Sequence, residues 1–121
     1  MHNPVIVALD VPKPEAALKL VEQLAPVAGA FKVGKELFVS ASSDMVRRVR
    51  ATGASVFLDL KFHDIPDTVA KAVAAAVKLD VQMLTIHTNG GSEMMRAAER
   101  PAQETATILG RPPPLVLGVT I

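Results

Sequence analysis

The sequence predicts an α/β fold built on a parallel β-sheet, and three observations predict it. Five short runs rich in β-branched residues are almost continuously apolar. Longer stretches between them carry apolar residues every three or four positions, and a polar residue ends each run. Continuous apolar runs are typical of strands buried on both faces, and periods of three to four are typical of amphipathic helices. Their alternation favours parallel strands with right-handed crossovers.

The predicted strands cover residues 4–9, 30–33, 55–60, 83–87 and 115–121. The polar residues that end them are Asp10, Lys32, Asp59, His87 and Thr120. In parallel α/β folds the ligand-binding groups lie at the carboxyl ends of the strands. We therefore expect the chemistry of this protein at these polar strand ends.

The predicted helices cover residues 14–24, 43–51, 66–79 and 91–103. Pro14 and Pro66 are placed to start two of them, and the polar residues 42–44 are suited to cap a third. Residues 104–114 are less regular, and the prolines at 112–114 predict a stiff connector into the last strand. The pattern fits either a small open α/β domain or part of a larger (β/α)8 barrel, since such a barrel needs about 250 residues.

Composition narrows the class of protein. The 121 residues amount to one domain at most, and a hydrophobic content of 50% with a mean hydropathy of +0.32 excludes intrinsic disorder. A formal net charge of +1 gives no field that would attract nucleic acid or an anionic membrane. Cysteine is absent, so disulfides and zinc–thiolate sites are excluded. Without a recognisable signal peptide or membrane-spanning run, a cytoplasmic protein is expected.

The sharpest feature is a set of charges around the third predicted strand. Asp59 and Lys61 are two residues apart, so a regular strand would send both side chains to the same face. Asp64 follows in the next loop, and Lys32 would lie beside Asp59 on the adjacent strand. An alternating array of Lys32, Asp59, Lys61 and Asp64 results. Such a cluster is either a structural ion-pair network or a functional site, because both gather charges.

These residues also carry a resemblance to a known family. The pattern Asp59-x-Lys61-x-x-Asp64-Ile65-Pro66-x-Thr68 resembles the signature of the orotidine 5′-phosphate decarboxylases of bacterial type. Further matches are VALD at 7–10, KVGKE at 32–36 and IHTNGG at 86–91. The resemblance implies that residues 1–121 are the N-terminal part of a single (β/α)8, TIM-barrel-type domain, about its first four and a half βα units.

The resemblance further implies a carboxy-lyase that converts orotidine 5′-phosphate to uridine 5′-phosphate in de novo pyrimidine biosynthesis. Its partner would be this small nucleotide, with no metal and no organic cofactor, and neither nucleic acid nor a membrane would be bound. A homodimer is implied as well. The family's phosphate-gripping residues come late in its barrel, so the 121 residues alone are expected to be weakly active or inactive.

The resemblance also assigns roles to individual residues. Lys61 is implied to donate the proton to C6 of the pyrimidine, with Asp59 against the departing carboxylate. Lys32 is implied to hold the array and to contact the ribose together with Asp10. Asp64 and Thr68 are implied to reach into the partner subunit's site. The catalytic set is then Lys61, Asp59, Lys32 and Asp64, and Asp10, Ile65 and Thr68 complete the substrate-binding set.

Loss of CO2 from C6 leaves a carbanion with little delocalisation, and lysine and aspartate side chains are suited to this chemistry. A fixed ammonium stabilises that charge in a site shielded from water and then supplies the proton. Two alternatives stay open. One is a magnesium-dependent sugar-phosphate decarboxylase or aldolase, in which an acidic residue replaces Lys32. The other is a non-catalytic half-barrel module that associates with itself.

Overall fold

The computed structural model describes residues 3–121, and within them strands and helices alternate as predicted. The strands are β1 (Ile6–Ala8), β2 (Ala30–Gly34), β3 (Val56–Phe62), β4 (Met83–His87) and β5 (Leu115–Val119). The helices are α1 (Pro14–Leu24), α2 (Lys35–Ala51), α3 (Pro66–Lys78) and α4 (Ser92–Leu109), with a 3-10 turn at Thr88–Gly90. The pairings of β1 with β2, β2 with β3 and β4 with β5 are parallel. A parallel α/β fold is therefore confirmed.

The chain divides into two compact units, Met1–Asp59 and Leu60–Ile121. In the first unit the strand order is β1-β2-β3, and α1 packs against α2. The interior is aliphatic apart from one phenylalanine, and its fully buried side chains include Leu9, Val21, Phe31, Leu37 and Val46. Burial of these apolar surfaces stabilises the unit and fixes the strands against each other.

Helix α2 is longer than predicted and contains a break. It begins at Lys35, directly after β2, whereas the apolar spacing predicted a start at residue 43. Ser42 departs from helical geometry, with φ 64° and ψ −173°, and its Oγ accepts a hydrogen bond from the N–H of Asp44 at 3.4 Å. The predicted cap at residues 42–44 is therefore present, but it lies between two helical segments.

The second unit holds the end of β3 and then β4 and β5, with α3 packed against α4. The buried residues of the two helices are apolar and include Val69, Val73, Met94, Ala98 and Ala102. Within residues 3–121, none of the helices combines the length and the apolar character that crossing a membrane requires.

The prediction for residues 104–114 was wrong in its first half. Helix α4 continues to Leu109 through Pro101, because Ala102 and Ala106 extend its buried stripe and hold the helix against its neighbours. It ends at Gly110, whose left-handed conformation (φ 67°, ψ 34°) terminates the helix. The residues at 112–114 form the predicted connector without regular structure.

Burial on both faces was correctly predicted for β4 but not for β1 and β5. In β5, Leu115 and Leu117 are 60% and 38% exposed, and Ile6 of β1 is 37% exposed. Among the described residues 3–121, β1 pairs only with β2 and β5 pairs only with β4. Their apolar side chains therefore lie on surfaces that residues 3–121 do not cover.

Candidate active site

In the first unit, Lys32 lies between two carboxylates. Its Nζ is 3.3 Å from Oδ1 of Asp10 and 3.7 Å from Oδ2 of Asp59. The side chain of Asp59 is 12% exposed and that of Asp10 is 67% exposed. The prediction that Lys32 lies beside Asp59 is thus confirmed, and Asp10 joins them.

Strand register brings these three residues together. Ala8 is paired with Lys32, and the N–H of Leu9 donates to the carbonyl oxygen of Lys32 at 2.9 Å, which carries the chain to Asp10 beside β2. On the other side of β2, Gly34 is paired with Asp59. Lys32 lies two residues before the end of β2 at Gly34, and Asp59 lies three residues before the end of β3 at Phe62.

Gly34 leaves space next to the Lys32 ammonium. A Cβ at this position would lie 3.5 Å from Nζ of Lys32 and 3.9 Å from Oδ1 of Asp10. The backbone does not require glycine there, since φ is −95°. The missing side chain therefore keeps one approach to the ammonium open, a feature that the strand pattern does not predict.

In the second unit, Lys61 has a left-handed backbone with φ 50° although it belongs to β3. Its N–H donates to Oγ1 of Thr85 on β4 at 2.9 Å. The regular alternation of a strand predicts that Asp59 and Lys61 lie on one face. That alternation does not apply at Lys61, because its φ lies outside the β region.

The loop after β3 presents the remaining motif residues at the surface. Asp64 and Thr68 are exposed, and Ile65 is 65% exposed. Oδ1 of Asp64 accepts a hydrogen bond from the N–H of Ile65 at 2.7 Å, just before α3 begins at Pro66. An open cavity of about 500 Å³ adjoins this loop; it is lined by His63, Asp64, Ile65, Pro66, Asn89 and Gly90.

Two histidines lie near this cavity. The ring centroids of His63 and His87 are 5.5 Å apart, with His63 exposed in the loop and His87 half-buried at the end of β4. Across residues 3–121 no three histidine, aspartate or glutamate side chains are gathered as a metal site would need. This pair alone does not provide metal-ligand spacing.

The arrangement in the first unit is suited to binding hydroxyl groups. An ammonium offers three donors, and carboxylates offer only acceptors. A ligand with neighbouring hydroxyls is able to donate to Asp10 or Asp59 and to accept from Lys32.

Comparisons with known proteins agree on one family. The family model described as orotidine 5′-phosphate decarboxylase / HUMPS family matches residues 3–121. The chain is 51% identical over 123 residues to an orotidine 5′-phosphate decarboxylase of Moorella thermoacetica, covering 100% of this chain and 49% of that protein. It is 50% identical over 120 residues to the enzyme of Pseudomonas savastanoi pv. phaseolicola, covering 99% and 50%.

A solved structure is similar as well. The crystal structure of orotidine 5′-phosphate decarboxylase from Lactobacillus acidophilus matches with a TM-score of 0.84 and 38% identity, covering 98% of this chain and 53% of that one. The chain therefore spans about half the length of the curated relatives it matches. The predicted fold class, a parallel α/β fold of the TIM-barrel type, is confirmed by this likeness.

Proposed function

Because this chain belongs to the orotidine 5′-phosphate decarboxylase / HUMPS family, we propose that it carries the reacting groups of an orotidine 5′-phosphate decarboxylase. The observation that carries the proposal is the ammonium of Lys32 held between Asp10 and Asp59. This trio accompanies the complete motif from Asp59 to Thr68. The enzyme is then a carboxy-lyase of pyrimidine biosynthesis acting in the cytoplasm.

The proposed reaction needs no bond between enzyme and substrate. The bond from C6 to the carboxylate carbon breaks, CO2 leaves, and the electron pair stays on C6. The Lys61 ammonium stabilises this pair electrostatically and then gives its proton to C6, which yields uridine 5′-phosphate. The amine left on Lys61 regains a proton from water before the next turnover.

Asp59 and Lys32 are assigned to the part of the substrate that surrounds C6. Asp59 lies against the departing carboxylate in this proposal, and its low exposure of 12% supports a position inside a shielded site. Lys32 and Asp10 bind the ribose hydroxyls. Their separation of 3.3 Å supports this role, because two adjacent hydroxyls of a ribose can pair with a donor and an acceptor so placed.

We assign Asp64, Ile65 and Thr68 to a homodimer in which Asp64 and Thr68 enter the partner subunit's site. Their exposure around the start of α3 supports this assignment, since side chains that reach another subunit must protrude from their own. The substrate is the small nucleotide, and neither nucleic acid nor a membrane takes part. No metal or organic cofactor is assigned to the site.

Release of CO2 from orotidine 5′-phosphate labelled in its carboxylate tests the proposal directly. Residues 1–121 are expected to release CO2 slowly or not at all by themselves, because phosphate contacts far from C6 supply binding energy used at the reacting carbon. A chain extended to the length of the curated relatives is expected to turn over. Equal rates from the two chains would contradict the expected weakness of residues 1–121.

The extended chain also tests the alternatives. If it releases no CO2, and if its assembly measured by size exclusion does not respond to 6-azauridine monophosphate, the non-catalytic self-association module is favoured. The exposed apolar side chains of β1 and β5 are the surfaces that such a module would use.

A further inference from the structure

Thr85 is a polar residue in an otherwise apolar interior. It is 4% exposed, and among residues 3–121 it is the one polar side chain that is buried. Its neighbours along β4, Leu84 and Ile86, are 0% and 2% exposed. A hydroxyl in such surroundings costs free energy unless it is hydrogen-bonded, so its partners indicate why it is there.

A hydrogen-bond partner of this hydroxyl is the backbone of Lys61. Oγ1 of Thr85 accepts from the N–H of Lys61 at 2.9 Å. Lys61 is one of three non-glycine residues within 3–121 that have a positive φ; the other two are Ser42 and Asp80. A left-handed conformation in a side-chain-bearing residue persists only where the surroundings fix it, and such residues cluster at functional sites.

We propose that Thr85 is a positioning residue for the proton-donating Lys61, acting by holding the Lys61 N–H and thereby its left-handed backbone. This inference rests on the proposed function, which assigns the proton transfer to Lys61. The φ and ψ angles of a residue set the direction of its Cα–Cβ bond. A return of Lys61 to the β region would therefore carry the side chain, and the ammonium at its end, away from its present direction.

Substitutions of Thr85 distinguish a positioning role from a packing role. Valine has almost the shape of threonine and suits a buried strand, but it lacks the acceptor oxygen. Serine keeps the oxygen and lacks the methyl group. A packing role predicts that valine substitutes better, whereas a positioning role predicts that serine does.

The test compares Thr85→Val and Thr85→Ser with the unsubstituted protein. All are made in the chain extended to the length of the curated relatives. The control is Thr107→Val, which removes an exposed threonine hydroxyl that donates to the carbonyl of Gln103 on α4. Decarboxylation of orotidine 5′-phosphate gives kcat and KM for each protein. Hydrogen exchange and backbone chemical shifts of Lys61, measured by NMR on labelled protein, report its hydrogen bond and its conformation independently of activity.

We expect Thr85→Val to lower kcat by about 10- to 100-fold with a much smaller change in KM, because a misplaced catalytic group costs rate. The Lys61 amide should lose protection and its left-handed shifts, while Thr85→Ser and Thr107→Val retain both. Unchanged kcat in Thr85→Val, or a loss of kcat in Thr85→Ser as large as that in Thr85→Val, would overturn the proposal.

The amide measurement on the unchanged protein covers two remaining cases. If Thr85→Val does not fold, a freely exchanging Lys61 amide in the unchanged protein overturns the proposal, and a protected amide together with an active Thr85→Ser supports it. If the unchanged protein does not turn over orotidine 5′-phosphate, the proposed function fails. The Lys61 shifts in the three variants then decide separately whether Thr85 holds the backbone.

Discussion

Nζ of Lys32 lies 3.7 Å from Oδ2 of Asp59, and the side chain of Asp59 is 12% exposed. Removing the ammonium from beside so shielded a carboxylate costs free energy, because water replaces the lost ionic interaction only in part. Asp10, at 3.3 Å from the same Nζ, would lose its cation as well. The charge of Lys32 therefore contributes both to the fold of the first unit and to the proposed site.

Lys32→Ala is expected to lower the free energy of unfolding by about 1–3 kcal/mol, the cost of removing a charged hydrogen-bonding group from beside a partly buried carboxylate. Urea unfolding followed by circular dichroism measures it. The matched control is Lys71→Ala, which breaks the exposed Lys71–Asp67 pair of 2.9 Å. That pair contributes at most about 0.5 kcal/mol. Equal effects of the two substitutions would contradict a structural role for the Lys32 charge.

In the extended chain, Lys61→Ala is expected to lower kcat at least about 100-fold. The substitution removes both the electrostatic stabilisation of the carbanion and the proton donor. The fold should persist, since the backbone bond from residue 61 to Thr85 does not involve the lysine side chain. Steady-state decarboxylation measures the effect, with Lys71→Ala as the control. Normal turnover in Lys61→Ala would exclude it as the proton donor.

Gly34→Ala and Gly34→Val are expected to weaken the binding of 6-azauridine monophosphate progressively. The Cβ of either variant enters the space 3.5 Å from Nζ of Lys32, and the valine methyls fill it further. Overpacking of this kind costs about 1–3 kcal/mol, which corresponds to about 5- to 150-fold in Kd. Calorimetric titration measures the affinities. If both variants bind as the unchanged protein does, the ligand does not approach through this space.

Chelation with EDTA is expected to leave the decarboxylation rate unchanged, and added Mg²⁺ is expected to have no effect. The Lys32 ammonium is in contact with the carboxylates of Asp10 and Asp59, so a divalent cation at those oxygens would be repelled by it. Rate measurements before and after exhaustive dialysis against chelator check this. Activity lost with EDTA and restored by Mg²⁺ would favour the magnesium-dependent alternative.

Much of the architecture follows from local patterns that the sequence displays. The bounds of α1 and β4 agree with the prediction, because a proline opens the helix and the strand is almost continuously apolar. The contact between Lys32 and Asp59 was also predictable, since adjacent parallel strands carry both residues. The roles of Lys61, Asp64 and Thr68 stay predictions.

Other features depend on contacts that no local pattern encodes. The left-handed backbone of Lys61 accompanies a hydrogen bond to a residue on another strand. In the sequence, Thr85 stands out as a polar residue that interrupts the apolar run of β4. A single threonine in a strand is common, however, so it does not by itself indicate a function. The continuation of α4 beyond Pro101 depends on burial of its alanine stripe, whereas proline on its own favours an ending.

The break at Ser42 bears on how this family member tolerates changes in length. Inserting one residue into a continuous helix rotates everything beyond it by about 100°, since a turn takes 3.6 residues. The segments on either side of Ser42 each hold their own buried residues, Leu37 before it and Met45, Val46 and Val49 after it. An insertion or deletion beside this exposed serine is thus expected to change only the break between the two helical segments. The same change near Val46 would displace the buried stripe.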